Sequence, residues 1–140
     1  MTKSFSIRSP TEKVGGLVYF GRMLDKIRAH ARGELPEDDI PQLGKGFDRR
    51  CVGYLGLQYE DLVEKVKAGG TDEEILEWAY QQGRKLSEIE IEIWNEYLRK
   101  CGWNDGTTET LNRRKRESGL TDRDDIQTMF QYIDFYEGRL

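Results

Sequence analysis

Apolar residues recur at spacings of three and four along most of the chain, the pattern of helices that bury one face. Leu17, Phe20, Leu24, Ile27 and Ala31 predict a first helix over 16–32, stopped by Gly33. Leu62, Val63 and Val66 predict a second over 58–68, ended by Gly69-Gly70. Thr71 and Glu74 are spaced as a capping box, in which each side chain accepts from the other residue's backbone N–H. They open a third helix that reaches about Gln82, with Ile75, Trp78 and Ala79 inward. Ser87 and Glu90 repeat the spacing.

The stretch Ile89-Glu90-Ile91-Glu92-Ile93 alternates with period two, which alone favours a strand. The cap before it, and Trp94, Tyr97, Leu98 and Cys101 after it, favour a helix over 87–101 instead. Its apolar positions cover an arc of ~200°, which predicts a central helix. A fifth helix over 107–118 ends at Gly119-Leu120, a Schellman-like stop. Thr121 is expected to cap a sixth, with Ile126, Met129, Phe130, Ile133 and Tyr136 inward.

Two segments fall outside this periodicity. Residues 1–14 read as an arm, extended at Ser9 because Pro10 follows. Residues 34–56 hold Pro36, Pro41 and four glycines, a longer connection than compact domains usually contain. A short helical turn fits over 47–55. The expected fold is all-α. It is an irregular bundle of five or six helices around the 87–101 helix, with 34–56 as a long ordered connection. Residues 1–140 read as a single domain with the arm packed on it.

Composition narrows the function classes. The net charge of −4 makes nucleic acid a poor default partner, since phosphate contacts need a positive field. No apolar run approaches the ~20 residues that span a bilayer, so no membrane role is expected. Cys51 and Cys101 show no metal-type spacing and read as reduced thiols. Met1-Thr2-Lys3-Ser4-Phe5 lacks a signal-peptide core. These features place the protein in the cytoplasm.

Phosphate-binding glycine loops, paired-histidine zinc motifs and serine nucleophile elbows are all missing from the sequence. His30 is the sole histidine and reads as a surface residue near a helix C-terminus. Catalytic residues, a cofactor and a metal site are therefore not expected. The polar residues that stand out are Arg8, Asp25, Arg28, Asp48 and Glu90. Arg28 lies at the edge of the first helix's apolar face, either in an ion pair with Asp25 or Glu137 or as a fork for an anionic ligand. Glu90 lies within the apolar arc of the 87–101 helix, either as a cap or ion-pair partner or as a buried acid with a raised pKa. The run Arg113-Arg114-Lys115-Arg116 spreads around its helix and suits the dipole of the last turns. Tyr132 and Phe135 lie off the core face of the last helix, either as an interaction surface for a partner or second copy, or as packing under the arm.

A family resemblance rests on several short motifs in order. They are Arg8-Ser9-Pro10 and Gly16, Leu24-Asp25-Lys26-Ile27-Arg28-Ala29, Leu43-Gly44-Lys45-Gly46-Phe47-Asp48, and Gly69-Gly70-Thr71-Asp72-Glu73-Glu74. The closing ones are Glu117-Ser118-Gly119-Leu120, Tyr132-Ile133-Asp134 and Glu137-Gly138-Arg139. Together they resemble an uncharacterised bacterial family, domain-of-unknown-function family 5069. The resemblance implies a small one-domain bacterial cytoplasmic protein and carries no activity, ligand or site residue with it. Two function classes follow from the residues: a non-catalytic binding or protein-interaction module, open to self-association, or a binding protein or enzyme for a small anionic ligand held by Arg28 with a nearby carboxylate.

Overall fold

A computed structural model describes residues 7–140; the first six residues of the expected arm lie outside it. Among the described residues the chain is mostly helical. A two-stranded hairpin, β1 (Lys13–Val14) and β2 (Leu17–Val18), precedes seven helices. These are α1 (Phe20–Ala31), α2 (Phe47–Leu55), α3 (Tyr59–Ala68), α4 (Asp72–Gln82), α5 (Glu88–Lys100), α6 (Thr108–Glu117) and α7 (Met129–Tyr136), with a 3-10 helix at Glu37–Gln42. The bundle is irregular as expected, with more and shorter helices.

The hairpin replaces the first turn of the expected 16–32 helix. Gly15 and Gly16 have φ of 56° and 82°, as a two-residue hairpin turn requires. The register pairs Val14 with Leu17. A Cβ on Gly15 would come 2.5 Å from Leu76 Cδ2, so the turn also depends on a bare backbone for its packing. Helix α1 then starts at Phe20 and is the true centre of the fold: Phe20, Met23 and Leu24 are wholly buried. Gly33 stops it with a Schellman pair, Glu34 N–H to Ala29 O and Gly33 N–H to His30 O.

The 34–56 connection is ordered by the 3-10 helix and by α2. Both capping boxes read from the sequence form, Thr71 with Glu74 and Ser87 with Glu90. Gly119 and Leu120 close α6 with N–H bonds to Arg116 O and Lys115 O.

Three further expectations are corrected. Helix α5 is not central: it buries only Trp94 and Leu98, and Ile89, Ile93 and Tyr97 are 59%, 56% and 49% exposed. Its inner face is fixed by the hairpin, where Trp94 Nε1 donates to Val18 O at 3.0 Å and Asn95 bonds Val18 N and Gly16 O. The last helix starts seven residues later than expected. Thr128 caps it in a box with Gln131, while Lys115 Nζ holds the preceding loop through Arg123 O and Ile126 O. The supposed outer pair of α7 is also misplaced. Tyr132 is buried, with its hydroxyl 2.6 Å from Ser118 Oγ. Phe135 packs on the Leu111, Ile126 and Met129 cluster, and it is Tyr136 that is exposed.

Candidate functional site

The charged residues fall into three separate groups. In the first, the arm crosses α1 and meets the start of α4. Arg8 donates to Asp25 from Nε at 2.8 Å and from its second guanidinium nitrogen at 3.0 Å, and its backbone N–H also reaches Asp25. Its remaining nitrogen meets Asp72 at 2.7 Å. Arg28 bonds Asp72 at 2.7 Å and lies 3.5 Å from Asp25. Two guanidiniums and two carboxylates thus close a ring. Burial opposes ionisation of Asp72, but the hydrogen bonds from Arg8 and Arg28 outweigh it and hold its pKa below the usual range. Gly21 makes room for the ring, since a Cβ there would come 2.8 Å from the Arg8 guanidinium carbon.

Beside this ring, Arg22 makes a bidentate contact to Glu137 at 2.8 and 2.6 Å and donates to Arg8 O. Arg139 bonds Glu137, Asp134 and Ile7 O. Ser9 Oγ donates to Asp134 at 3.0 Å. The arm is therefore fastened to α1 and to the chain's end. Sequence reasoning offered Asp25 or Glu137 as partners for Arg28; the structure gives Asp25 a share, makes Asp72 the close partner and assigns Glu137 to Arg22.

Asp48 belongs to a second group. It is wholly buried at the start of α2. One oxygen accepts from the Tyr19 hydroxyl at 2.6 Å and from Lys26 Nζ at 2.8 Å, and the other accepts from Gly44 N–H at 3.0 Å. Tyr19 has φ of 73°, a left-handed conformation rare for a side chain this large, at the N-cap of α1. Its ring packs edge-on to Phe47 at 5.6 Å and beside Phe130 at 6.4 Å. Burial, with Asp48 adjacent, pushes the Tyr19 hydroxyl pKa well above its usual value. Burial also pushes up the Cys51 thiol, one turn along α2.

Glu90 stands apart on α5. It completes the Ser87 capping box and meets Arg84 at 2.5 Å. These bonds, the Ser87 backbone N–H first, lower its pKa, opposite to the buried-acid reading. The five polar residues singled out in the sequence therefore do not converge on one place. Arg8, Asp25 and Arg28 share one network, Asp48 another, and Glu90 serves as a cap.

What the sequence missed is a cleft of about 810 Å³ between α1, the 3-10 helix with the start of α2, α6 and α7. Tyr19, Arg22 and Lys26 line it on the α1 side, already engaged as above. Lys45 and Arg50 come from the long connection and α2, and Arg113 and Arg114 from α6. Among the described residues, none of these four has a carboxylate within salt-bridge distance. Arg50 instead lies over the Phe47 ring at 5.4 Å and reaches Cys101 Sγ at 3.8 Å. Asp38, Asp39 and Glu117 share the lining, so both signs face the space. Arg113 and Arg114 were read as a solvated face. Only the packing of α6 on α7, across the cleft from α1 and α2, gives them a space to face, and no local pattern signals that.

The chain matches the family model described as Domain of unknown function (DUF5069) over residues 4–139. It belongs to that family. No curated protein matches the chain. No helix among the described residues is long and apolar enough to cross a membrane.

Proposed function

We propose that this DUF5069 protein is a single-domain, non-catalytic binding module of the bacterial cytoplasm, and that it holds a small anion in the cleft between α1, α2, α6 and α7. The observation that carries this reading is the group of four cations, Lys45, Arg50, Arg113 and Arg114, which face a common space without carboxylate partners among the described residues. Guanidiniums arranged around a concavity suit phosphate or carboxylate, which they bind through paired N–H donors. The volume is in the usual range for small-molecule sites, roughly 300–1,000 Å³. Asp38 and Glu117 favour a ligand that also carries hydroxyl donors, such as a phosphorylated sugar or a hydroxy acid. The buried free thiols of Cys51 and Cys101 support a reducing compartment. The anion site moves from Arg28, whose guanidinium is occupied by Asp72 and Asp25, to the cleft.

A thermal-shift screen of sugar phosphates, nucleotides, and di- and tricarboxylates tests the reading. A ligand present at 100 Kd should stabilise the protein by about 2.7 kcal/mol. That gain should vanish in the Arg113→Gln/Arg114→Gln variant and persist in Arg28→Gln, provided each variant still folds. A panel without a hit, or a shift indifferent to Arg113 and Arg114, would reject the cleft as the site.

A further inference from the structure

Helix α5 leaves an apolar strip uncovered. Ile89, Ile93 and Tyr97 follow one another at spacings of four, so they lie in a row on one face, and each is about half exposed or more. Scattered surface apolar residues need no explanation, but a row of three on one helix marks a contact surface. A second row runs alongside it: Glu88, Glu92, Glu96 and Lys100, again at spacings of four. Glu96 is answered within the helix by Arg99 and Lys100, at 2.7 and 3.2 Å. Glu88 and Glu92 have no cation within salt-bridge distance among the described residues. The face therefore carries unanswered acid at its N-terminal end and base at its C-terminal end. The helix dipole accounts for those signs, but not for the apolar row between them.

We propose that the protein pairs with a second copy of itself through this face, the two α5 helices running antiparallel. Place a two-fold axis level with Trp94, perpendicular to the plane of the two helices. Ile93 then lies about 3 Å along the helix axis from Ile93 of the second copy, and Ile89 about 3 Å from its Tyr97, a stagger these side chains span. Residues 88 and 100 are about 18 Å apart along the helix, and the same axis brings Glu88 of each copy level with Lys100 of the other. A two-fold of this kind keeps each flank against the same flank of the mate, so the acidic row faces its own reverse. The same axis sets Glu92 level with Glu96 of the mate, whose charge Arg99 and Lys100 already answer, whereas parallel pairing would put the two acidic ends at the same level. The strip covers less than the about 800 Å² per partner of a standard stable interface, so the pair is reversible and the monomer persists when dilute.

Sedimentation equilibrium on the full chain, from about 10 µM to about 1 mM, reads the prediction directly. The weight-average mass should climb from the chain mass of 16.4 kDa toward twice that value. Ile93→Asp and Glu88→Lys should each hold it near the chain mass, with the melting temperature of each variant confirming the fold. The double variant Glu88→Lys/Lys100→Glu should restore the climb, because the reversed pair meets across the same axis. A second strip variant, Ile89→Lys, stands in if Ile93→Asp does not fold. The proposal is overturned by a wild-type mass that stays at one chain throughout, by association that survives Ile93→Asp, or by a double variant as monomeric as Glu88→Lys.

Discussion

Two charged regions on neighbouring surfaces of α1 obey opposite rules. Around the arm, Arg8, Arg22 and Arg28 are each matched to a carboxylate at 2.6–2.8 Å, and the groups are half-buried or buried. Around the cleft, Lys45, Arg50, Arg113 and Arg114 have no such match among the described residues. The contrast separates charge that holds the chain together from charge left available to something else. In the first region a guanidinium is fixed by its carboxylate and cannot bind an anion without breaking the ring. In the second, no protein carboxylate among the described residues fixes the cations.

The sharpest way to break the first region is to remove one partner from its most buried pair. Arg22 and Glu137 have side chains only 10% and 8% exposed. Glu137→Gln leaves Arg22 buried with one neutral acceptor and the Arg8 carbonyl, and takes a partner from Arg139. The loss should be about 3 kcal/mol, the low end for breaking a buried pair, because carbonyl contacts remain. Urea denaturation measures it. An unchanged midpoint would mean that the arm and the chain's end are not held as described.

The same region sets the acid limit of the fold. Burial opposes ionisation of Glu137, yet Arg22 and then Arg139 more than compensate and hold its pKa below the usual range, as Arg8 and Arg28 do for Asp72. Carboxylates with depressed folded pKa values contribute stability that is present above their unfolded values. That stability disappears as pH falls through the folded ones. The urea midpoint should therefore be level between about pH 7 and pH 5 and decline below about pH 4, with a shallower decline in Glu137→Gln. Equal slopes for the two proteins would remove Glu137 from the acid transition.

The local half of this architecture was legible in the sequence. Thr71 with Glu74, Ser87 with Glu90, Gly33 and Gly119-Leu120 each fix a helix end through contacts within a few residues, so their spacing is enough to read them. The hairpin was hidden because Leu17 continues the apolar period of α1 while Gly15-Gly16 turns the chain the other way. Period also says nothing about which neighbour covers a face, which is why α5 looked central and α1 did not. The site was less legible still. Arg28 meets an aspartate 44 positions on, and Arg8 one 17 positions on. The cleft joins Lys45 to Arg113 through the packing of four elements, none of which marks the other.

The smallest expected effect carries the comparison furthest. Arg113 and Arg114 are exposed at the cleft and bond no carboxylate among the described residues, so Arg113→Gln/Arg114→Gln removes two charges without leaving a buried partner there unanswered. Its change in stability should stay within about 0.5 kcal/mol, the ordinary range for surface substitutions. Removing like charges from adjacent positions and removing cations from a helix C-terminal turn act with opposite signs, which also keeps the net effect small. Thermal unfolding of the ligand-free variant checks this. A loss of several times that size would show that these arginines are structural, like Arg22, and would erase the distinction between the two regions. A near-zero change, beside the large loss in Glu137→Gln, would mean that the fold does not need the cleft's charges, as expected of groups kept for binding.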